Sequence, residues 1–436
     1  MSRDNVAFVR THMLPEAPPP VAETGAIKWL RENLFSSVGN TVLTLVSTYV
    51  VISLAISAAP WFLNGIWDAP SLSACREMLD GRTGACFAVL TERWNQLLFG
   101  FKYPDELYWR PAVAFVLLFA AIAPVLFLKY LPRQLLVFTG LYPFIAYWLI
   151  WGGSIMVPIF ALVGIVAGVI VYRRMMTVSA GVAVLAGVVG AMVVWWAAGF
   201  VTAPMANVLA LEPVASRDMG GFMINLMLGV ICVSLSIPFG ILLALGRQSS
   251  MPIIKWICVV FIEFIRGVPL ITLLFVANVV LAYFLPPGTN FDLILRVIIM
   301  ITMFASAYIA EVIRGGLAAL PRGQYEAADS LGLDYAQSMQ FIILPQALRI
   351  SIPGIVNTFI GLFKDTTLVV FIGLLDPIGL SNSIRASTDW NGIYWELFVF
   401  IKQASPLGTR LVFILGLLVE RLCAIISSAT HQPRSD

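Results

Sequence analysis

A succession of long windows without a charged side chain constrains this sequence more than anything else in it. The widest, residues 135–172, holds no Asp, Glu, Lys or Arg and carries Gly152, Gly153 and Ser154 near its middle. About 20 largely uncharged residues suffice for one membrane-crossing helix, so this window is too long for an ordinary span and reads as a tight helical hairpin. The chain as a whole is 59% hydrophobic and only 12% charged, against about 25% charged in soluble domains. So much apolar surface needs lipid as its solvent, and a backbone in lipid must satisfy its own hydrogen bonds, which helices do. The fold class is an all-α integral membrane protein; disordered, collagen-like and disulfide-scaffold classes are excluded. With a net charge of +3 and dispersed Lys and Arg, no basic patch for nucleic acid exists.

Charge-free windows and the Lys/Arg content of short loops give about ten spans and their orientation. The tail 1–35 carries Arg3, Arg10, Lys28 and Arg31, and past a proline-rich linker Ile27, Leu30 and Leu34 share one face of a short interfacial helix. This places the N-terminus in the cytoplasm, and no cleavable signal peptide is visible. Region 36–219 then reads as five spans: 38–63, 111–128, the two arms of the hairpin, and 181–201. A polar external loop occupies 68–110. Region 220–427 reads as five more: 221–245, 267–285, 297–313, 350–374 and 407–427, with a short tail 428–436. Arg247 and Lys255 fall on the cytoplasmic side; Lys402, Arg410, Glu420 and Arg421 interrupt the last span. Cys75 and Cys86 share the external loop, where an oxidising compartment favours a disulfide, while Cys232, Cys258 and Cys423 lie in apolar runs.

Between the eighth and ninth spans the segment 315–349 reads GGLAALPRGQYEAADSLGLDYAQSMQFIILPQALR. Pro321 and Gly323 open a short helix with Glu326 early in it, and Ala327 and Ala328 offer a surface that another backbone can approach closely. Gly332 stops the helix in a left-handed cap, Leu333 packs back, and Asp334 caps the next helix. Pro345 begins the ninth span. These residues alone are equally compatible with an ordinary helix-turn-helix connection and with a docking knob.

The segment resembles the signature of permease subunits of binding-protein-dependent ABC importers for polar amino acids: Glu326-Ala327-Ala328, Gly332, Ile342 or Ile343, then Leu344-Pro345. Residues 264–270, FIRGVPL, are similar to that family's FRGTPL element, with Ile265 and Val268 as departures. Ala307-Tyr308-Ile309-Ala310-Glu311 with Arg314-Gly315-Gly316, and Lys364-Asp365-Thr366-Thr367-Leu368, add two more matches. The resemblance covers about 220–388 and fades beyond Ile401. Trp29-Leu30-Arg31, the external cysteine loop and Tyr108-Trp109-Arg110-Pro111 look like the larger permeases of general amino-acid or glutamate/glutamine/aspartate/asparagine importers.

The resemblance implies a five-helix transporting core behind five extra spans, in a bacterial inner membrane. It implies a second homologous permease as partner, an ABC ATPase dimer below and a periplasmic amino-acid-binding protein above, with transport by alternating access. In this reading Glu326, Ala327, Ala328, Gly332, Leu344 and Pro345 meet the ATPase. The chain has no Gly-x-x-x-x-Gly-Lys phosphate loop and no Gly-Lys dipeptide, so it carries no cofactor, and ATP and magnesium belong to the partner ATPase. His12 and His431 lie in the polar tails, and no catalytic carboxylate pair or metal set stands out. The other readings are an ion-coupled secondary amino-acid transporter, which would ignore ATP, and an integral membrane enzyme, which would turn over substrate unaided.

Lys364 and Asp365 interrupt an uncharged run from Ser351 to Leu375. Ionisable groups at that depth are expensive and tend to line pathways; a structural ion pair near the external interface is the competing role. Asn357 and Thr358 lie about two turns earlier and, with Thr366, join the candidate pathway, although single polar groups also serve as helix-helix glue. Glu311 and Arg314, three apart, fit a local salt bridge.

Overall fold

The computed structural model describes residues 25–402 apart from 128–129, 177–179, 203–204, 206 and 281–291. The tenth span read from the sequence, together with His12, His431 and Cys423, lies outside them. The described residues are helical, without an extended strand, and contain eight helices long and apolar enough to cross a membrane, or nine if one bent pair counts as a span.

The chain divides into two compact units. The first comprises Met1–Ala69 and Ser73–Ala88. Its short helix α1 (Gly25–Asn33) exposes Ile27, Trp29 and Leu30. Helix α2 (Val38–Leu63) starts where Ser37 accepts the Asn40 N–H at 3.2 Å and has no buried residue, as expected of a helix surrounded by lipid or another chain. Beyond it, Ile66 and Ala85–Ala88 exchange backbone hydrogen bonds, and Trp61, Phe62 and Trp67 gather round Phe87. Cys75, on α3 (Leu72–Leu79), is disulfide-bonded to Cys86 with Cα atoms 6.1 Å apart, and both are buried. The segment read as a polar loop therefore has a core of its own.

The second unit comprises Pro70–Leu72 and the chain from Val89 onward. After the short helices α4 (Ala88–Glu92) and α5 (Trp94–Phe99), α6 (Trp109–Leu126) and α7 (Leu136–Trp151) run antiparallel. Thr139 donates to the Ala121 carbonyl at 2.7 Å and Tyr142 to that of Ala114 at 3.0 Å. Gly152 and Gly153, both at positive φ, turn the chain into α8 (Met156–Met175), which confirms the hairpin. Helix α9 (Ala180–Thr202) packs on α8 so closely that a Cβ on Gly168 would lie 2.7 Å from the Gly187 carbonyl. Small residues allow such contact where no hydrophobic effect draws helices together.

Helices α10 (Gly221–Gln248) and α13 (Leu293–Ala318) form the centre of the main core, with Ile224, Leu228, Ile294, Ile301, Ile309 and Ile313 buried. Between them lie α11 (Pro252–Gly267) and α12 (Leu270–Phe275), which continues as π-helix to Val280; the two parts bend by 103°. The expected span 267–285 is thus only the second arm of a broken helix. Pro269 lacks the N–H a continuing helix needs and drives Val268 to an extended conformation, φ −107° and ψ 131°. After two short helices, α14 (Arg322–Ser330) and α15 (Tyr335–Ser338), a π-turn over Met339–Ile343 runs into α16 (Leu344–Asp365). Helical turns Thr366–Ile372 and α17 (Pro377–Arg385) follow.

Candidate coupling loop and polar transmembrane face

The connection between α13 and α16 is built to project. Helix α14 ends in a left-handed cap: Gly332 has φ +71°, its N–H reaches the Asp329 carbonyl at 2.9 Å, and the Leu333 N–H reaches that of Ala328 at 3.3 Å. This double closure satisfies the last carbonyls of the helix. Asp334 then accepts the Gln337 N–H at 2.7 Å while Gln337 accepts that of Asp334 at 3.2 Å, a reciprocal capping box for α15. The Gln346 side chain donates to that of Gln324 at 2.9 Å and ties α14 to the first turns of α16.

Within this frame Ala328 is fully buried, Leu344 and Pro345 are half-buried, and Glu326, Ala327 and Gly332 are exposed. Pro345 occupies the first turn of α16, where its missing N–H costs nothing. Two residues that sequence reasoning passed over complete the tip: Leu331 is 72% exposed and Tyr335 64%. Large apolar side chains held out on a capped tip form a contact surface, and a one-turn spacing from Ala327 to Leu331 was the available signal.

Helix α16 buries Ala347, Ser351, Ile355, Phe359 and Leu362 and exposes Arg349, Pro353, Asn357 and Lys364. Asn357 and Lys364 are two turns apart on that open face, about 10 Å along the axis. Asp365 is half-buried, and neither it nor Lys364 forms an ion pair with any described residue. Thr358 turns its hydroxyl to the Gly354 carbonyl at 2.9 Å, and the buried Thr366 donates to that of Phe363 at 2.7 Å. The five candidate pathway residues are therefore not equivalent: two face outward, while two hydroxyls are engaged by their own helix. Glu311 and Arg314 do pair, with Nε to Oε1 at 2.9 Å, but the carboxylate has further partners. Among the described residues no cluster of His, Cys, Asp and Glu suited to a metal ion occurs.

Comparison with known proteins adds the family. Residues 236–431 match the model of the binding-protein-dependent transport system inner membrane component, extending past Ile401, where the motif resemblance stops. The glutamate/glutamine/aspartate/asparagine transport system permease protein BztC of Rhodobacter capsulatus is 55% identical over 411 residues, covering 91% of this chain and 93% of that one. The inner membrane amino-acid ABC transporter permease protein YhdY of Escherichia coli is 36% identical over 394 residues, 89% of this chain and 91% of that one. The probable glutamine ABC transporter permease protein GlnP of Bacillus subtilis is 35% identical over 181 residues, 41% of this chain and 81% of that shorter protein. A transport subunit that leaves ATP hydrolysis to a separate protein accounts for the absent phosphate loop, and the chain belongs to the multi-pass permeases of binding-protein-dependent amino-acid ABC transporters, which work with an ATPase and a binding protein.

Proposed function

We propose that this chain is one of two non-identical permeases in an inner-membrane importer of glutamate, glutamine, aspartate and asparagine, with its N-terminus and coupling loop in the cytoplasm. The identity of 55% over nine-tenths of both chains to a permease bearing those four substrates in its name carries the substrate class. Glu326, Ala327, Ala328, Gly332, Leu344 and Pro345 form or support the surface on which a homodimeric ATPase, with its ATP and magnesium, docks; Leu331 and Tyr335 give it apolar contact. Region 220–427 is the translocating core and 36–219 an accessory bundle with an external, disulfide-bonded segment. The candidate pathway comprises Asn357, Thr358, Lys364, Asp365 and Thr366, and the open face of α16 favours Asn357 and Lys364 within it. The Lys364 ammonium on that face suits the α-carboxylate that all four solutes share. Uptake of labelled glutamate into vesicles holding the permease pair, ATPase and binding protein tests this, with ATP supplied inside and ion gradients collapsed. Full uptake without ATP would overturn the ATP-driven reading; lack of competition by glutamine, aspartate and asparagine would overturn the substrate set.

A further inference from the structure

The loop-side ends of three helices meet at one carboxylate. Arg247, at the end of α10, places Nη1 3.1 Å from Glu311 Oε2 and Nη2 2.9 Å from Glu263 Oε1 of α11. Arg266, on the last turn of α11, lies 3.8 Å from the same Glu311 oxygen, with its guanidinium over the Tyr308 ring at 5.4 Å. Arg314 takes the other oxygen. Glu311 thus serves three guanidinium groups, and its side chain is only 22% exposed, as is that of Arg247. Partly buried pairs of this kind are screened by salt far less than surface pairs.

The location gives the cluster its meaning. Arg266 immediately precedes the break at Gly267-Val268-Pro269; Ile262 of α11 and Leu270 and Leu274 of α12 belong to the main core, Ile265, Leu273 and Ala307 form a smaller cluster beside it, and the charges add a directional hold next to the break. Below Glu311, α13 ends at Ala318 and only Ala319, Leu320 and Pro321 precede α14. Gly316 meets α16 so tightly that a Cβ there would lie 2.5 Å from the Ala347 carbonyl, which makes both roots of the coupling loop one body.

We infer that Glu311 is a positioning residue that clamps the α11–α12 elbow to α13, so that movement of the coupling loop carries the elbow with it. The inference rests on the coupling role proposed for that loop but concerns a different contact. Removing Glu311 leaves three arginines facing Glu263 alone, so repulsion adds to the lost bonds; Arg266→Gln removes only the elbow's own share and leaves Arg247 and Arg314 on the carboxylate.

The test uses the assembled importer in nanodiscs, with spin labels on cysteines replacing Ile253 of α11 and Leu295 of α13, both exposed, and with Cys232, Cys258 and Cys423 changed to serine. Distances are read with and without ATP, beside uptake and co-purification of the ATPase. The unaltered clamp should give one narrow distance that shifts with ATP. Glu311→Gln should broaden the distribution, abolish the shift and lower uptake at least tenfold while the ATPase stays bound. Retention of the narrow distance, its shift and uptake in Glu311→Gln would overturn the clamp. If that variant does not assemble, Arg266→Gln decides by the same criteria. Loss of the shift in Glu311→Gln beside a fully active Gly332→Asp would overturn the coupling-loop reading and keep the clamp; the reverse pattern would do the opposite.

Discussion

Substituting Gly332 by alanine, asparagine and aspartate separates backbone strain from surface chemistry at the loop tip. At φ +71° with no atom within 4 Å of an added Cβ, the position has a conformational demand and no internal steric one. Alanine there costs roughly 1–2 kcal/mol, because its Cβ crowds the following carbonyl; asparagine and aspartate tolerate the left-handed region better. That cost, set against a cap held by two backbone bonds, corresponds to about a 5–30-fold loss of the capped form. Asparagine should stay within about threefold of the parent. Aspartate has nearly the same shape but adds a charge to a tip already holding Glu326, Asp329 and Asp334, and each close like-charge contact in water is worth about 1 kcal/mol. The assay is titration of purified ATPase onto the permease pair in nanodiscs, with uptake measured on the same preparations. Alanine should weaken docking by the factor above, asparagine hardly, and aspartate more than asparagine. Alanine indistinguishable from glycine would refute the requirement for the cap, and asparagine as poor as alanine would show that bulk, and not backbone strain, is what the partner rejects.

Lys364→Ala should lower glutamate uptake more than tenfold while changing the stability of the assembled complex by less than about 0.5 kcal/mol, since Lys364 is exposed and forms no ion pair with any described residue; normal uptake would remove it from the pathway. Joint replacement of Cys75 and Cys86 by serine should destabilise the external segment by roughly 2–3 kcal/mol, read as faster limited proteolysis of intact cells, and peptide mapping without reduction should recover the two joined. Asp376 is fully buried at the N-terminus of α17, and burial, against the opposing Gly379 N–H bond, raises its pKa to about 6. A raised carboxyl pKa means that the folded state prefers the proton, so its stabilising contribution is complete below about pH 4 and is lost as pH rises through about 6. Asp376→Asn should therefore flatten the thermal-stability profile between those values, and an unchanged slope would assign it to another group.

How far the fold could be read from residues alone depended on where charge is spent. Helix α2 was legible to its ends because no charge falls inside it and Ser37 and Asn64 bracket it. The hairpin was legible because only paired glycines in an uncharged window give a reason to turn. Helix α11 was not: Lys255, Glu263 and Arg266 lower its hydropathy until it resembles a loop, and two of them are answered by Arg247 and Glu311 on other helices. Residues 68–110 read as a polar loop because the disulfide and the aromatic cluster that help fold this segment join residues too sparse to make a period. On α16 the sequence placed Asn357, Thr358, Lys364, Asp365 and Thr366 within a few turns, but which hydroxyls return to their own carbonyls depends on rotamers that no pattern encodes.

The bent pair α11–α12 also settles how the core is threaded. Along α10 and α13, Cys232 contacts the Ile298 carbonyl, Gly240 packs on Ile309, and Arg247 bonds Glu311. Residue number rises together on both helices, so they run parallel. Helix α16 runs against them, since Gly316 meets Ala347 and Gly354 meets Val312. Two parallel helices joined by one connection require the chain between them to return across their full length once. A re-entrant loop, entering and leaving on the same side, would have made α10 and α13 antiparallel. The elbow is therefore one crossing whose first arm lies across the loop-side ends of its neighbours, where its charges find partners, and whose second arm climbs until Asn278 bonds the Ile372 carbonyl beyond the end of α16. With the elbow counted once, α10, the elbow and α13 make three crossings, so the loop between α13 and α16 lies on the opposite side of the core from the start of α10 at Gly221.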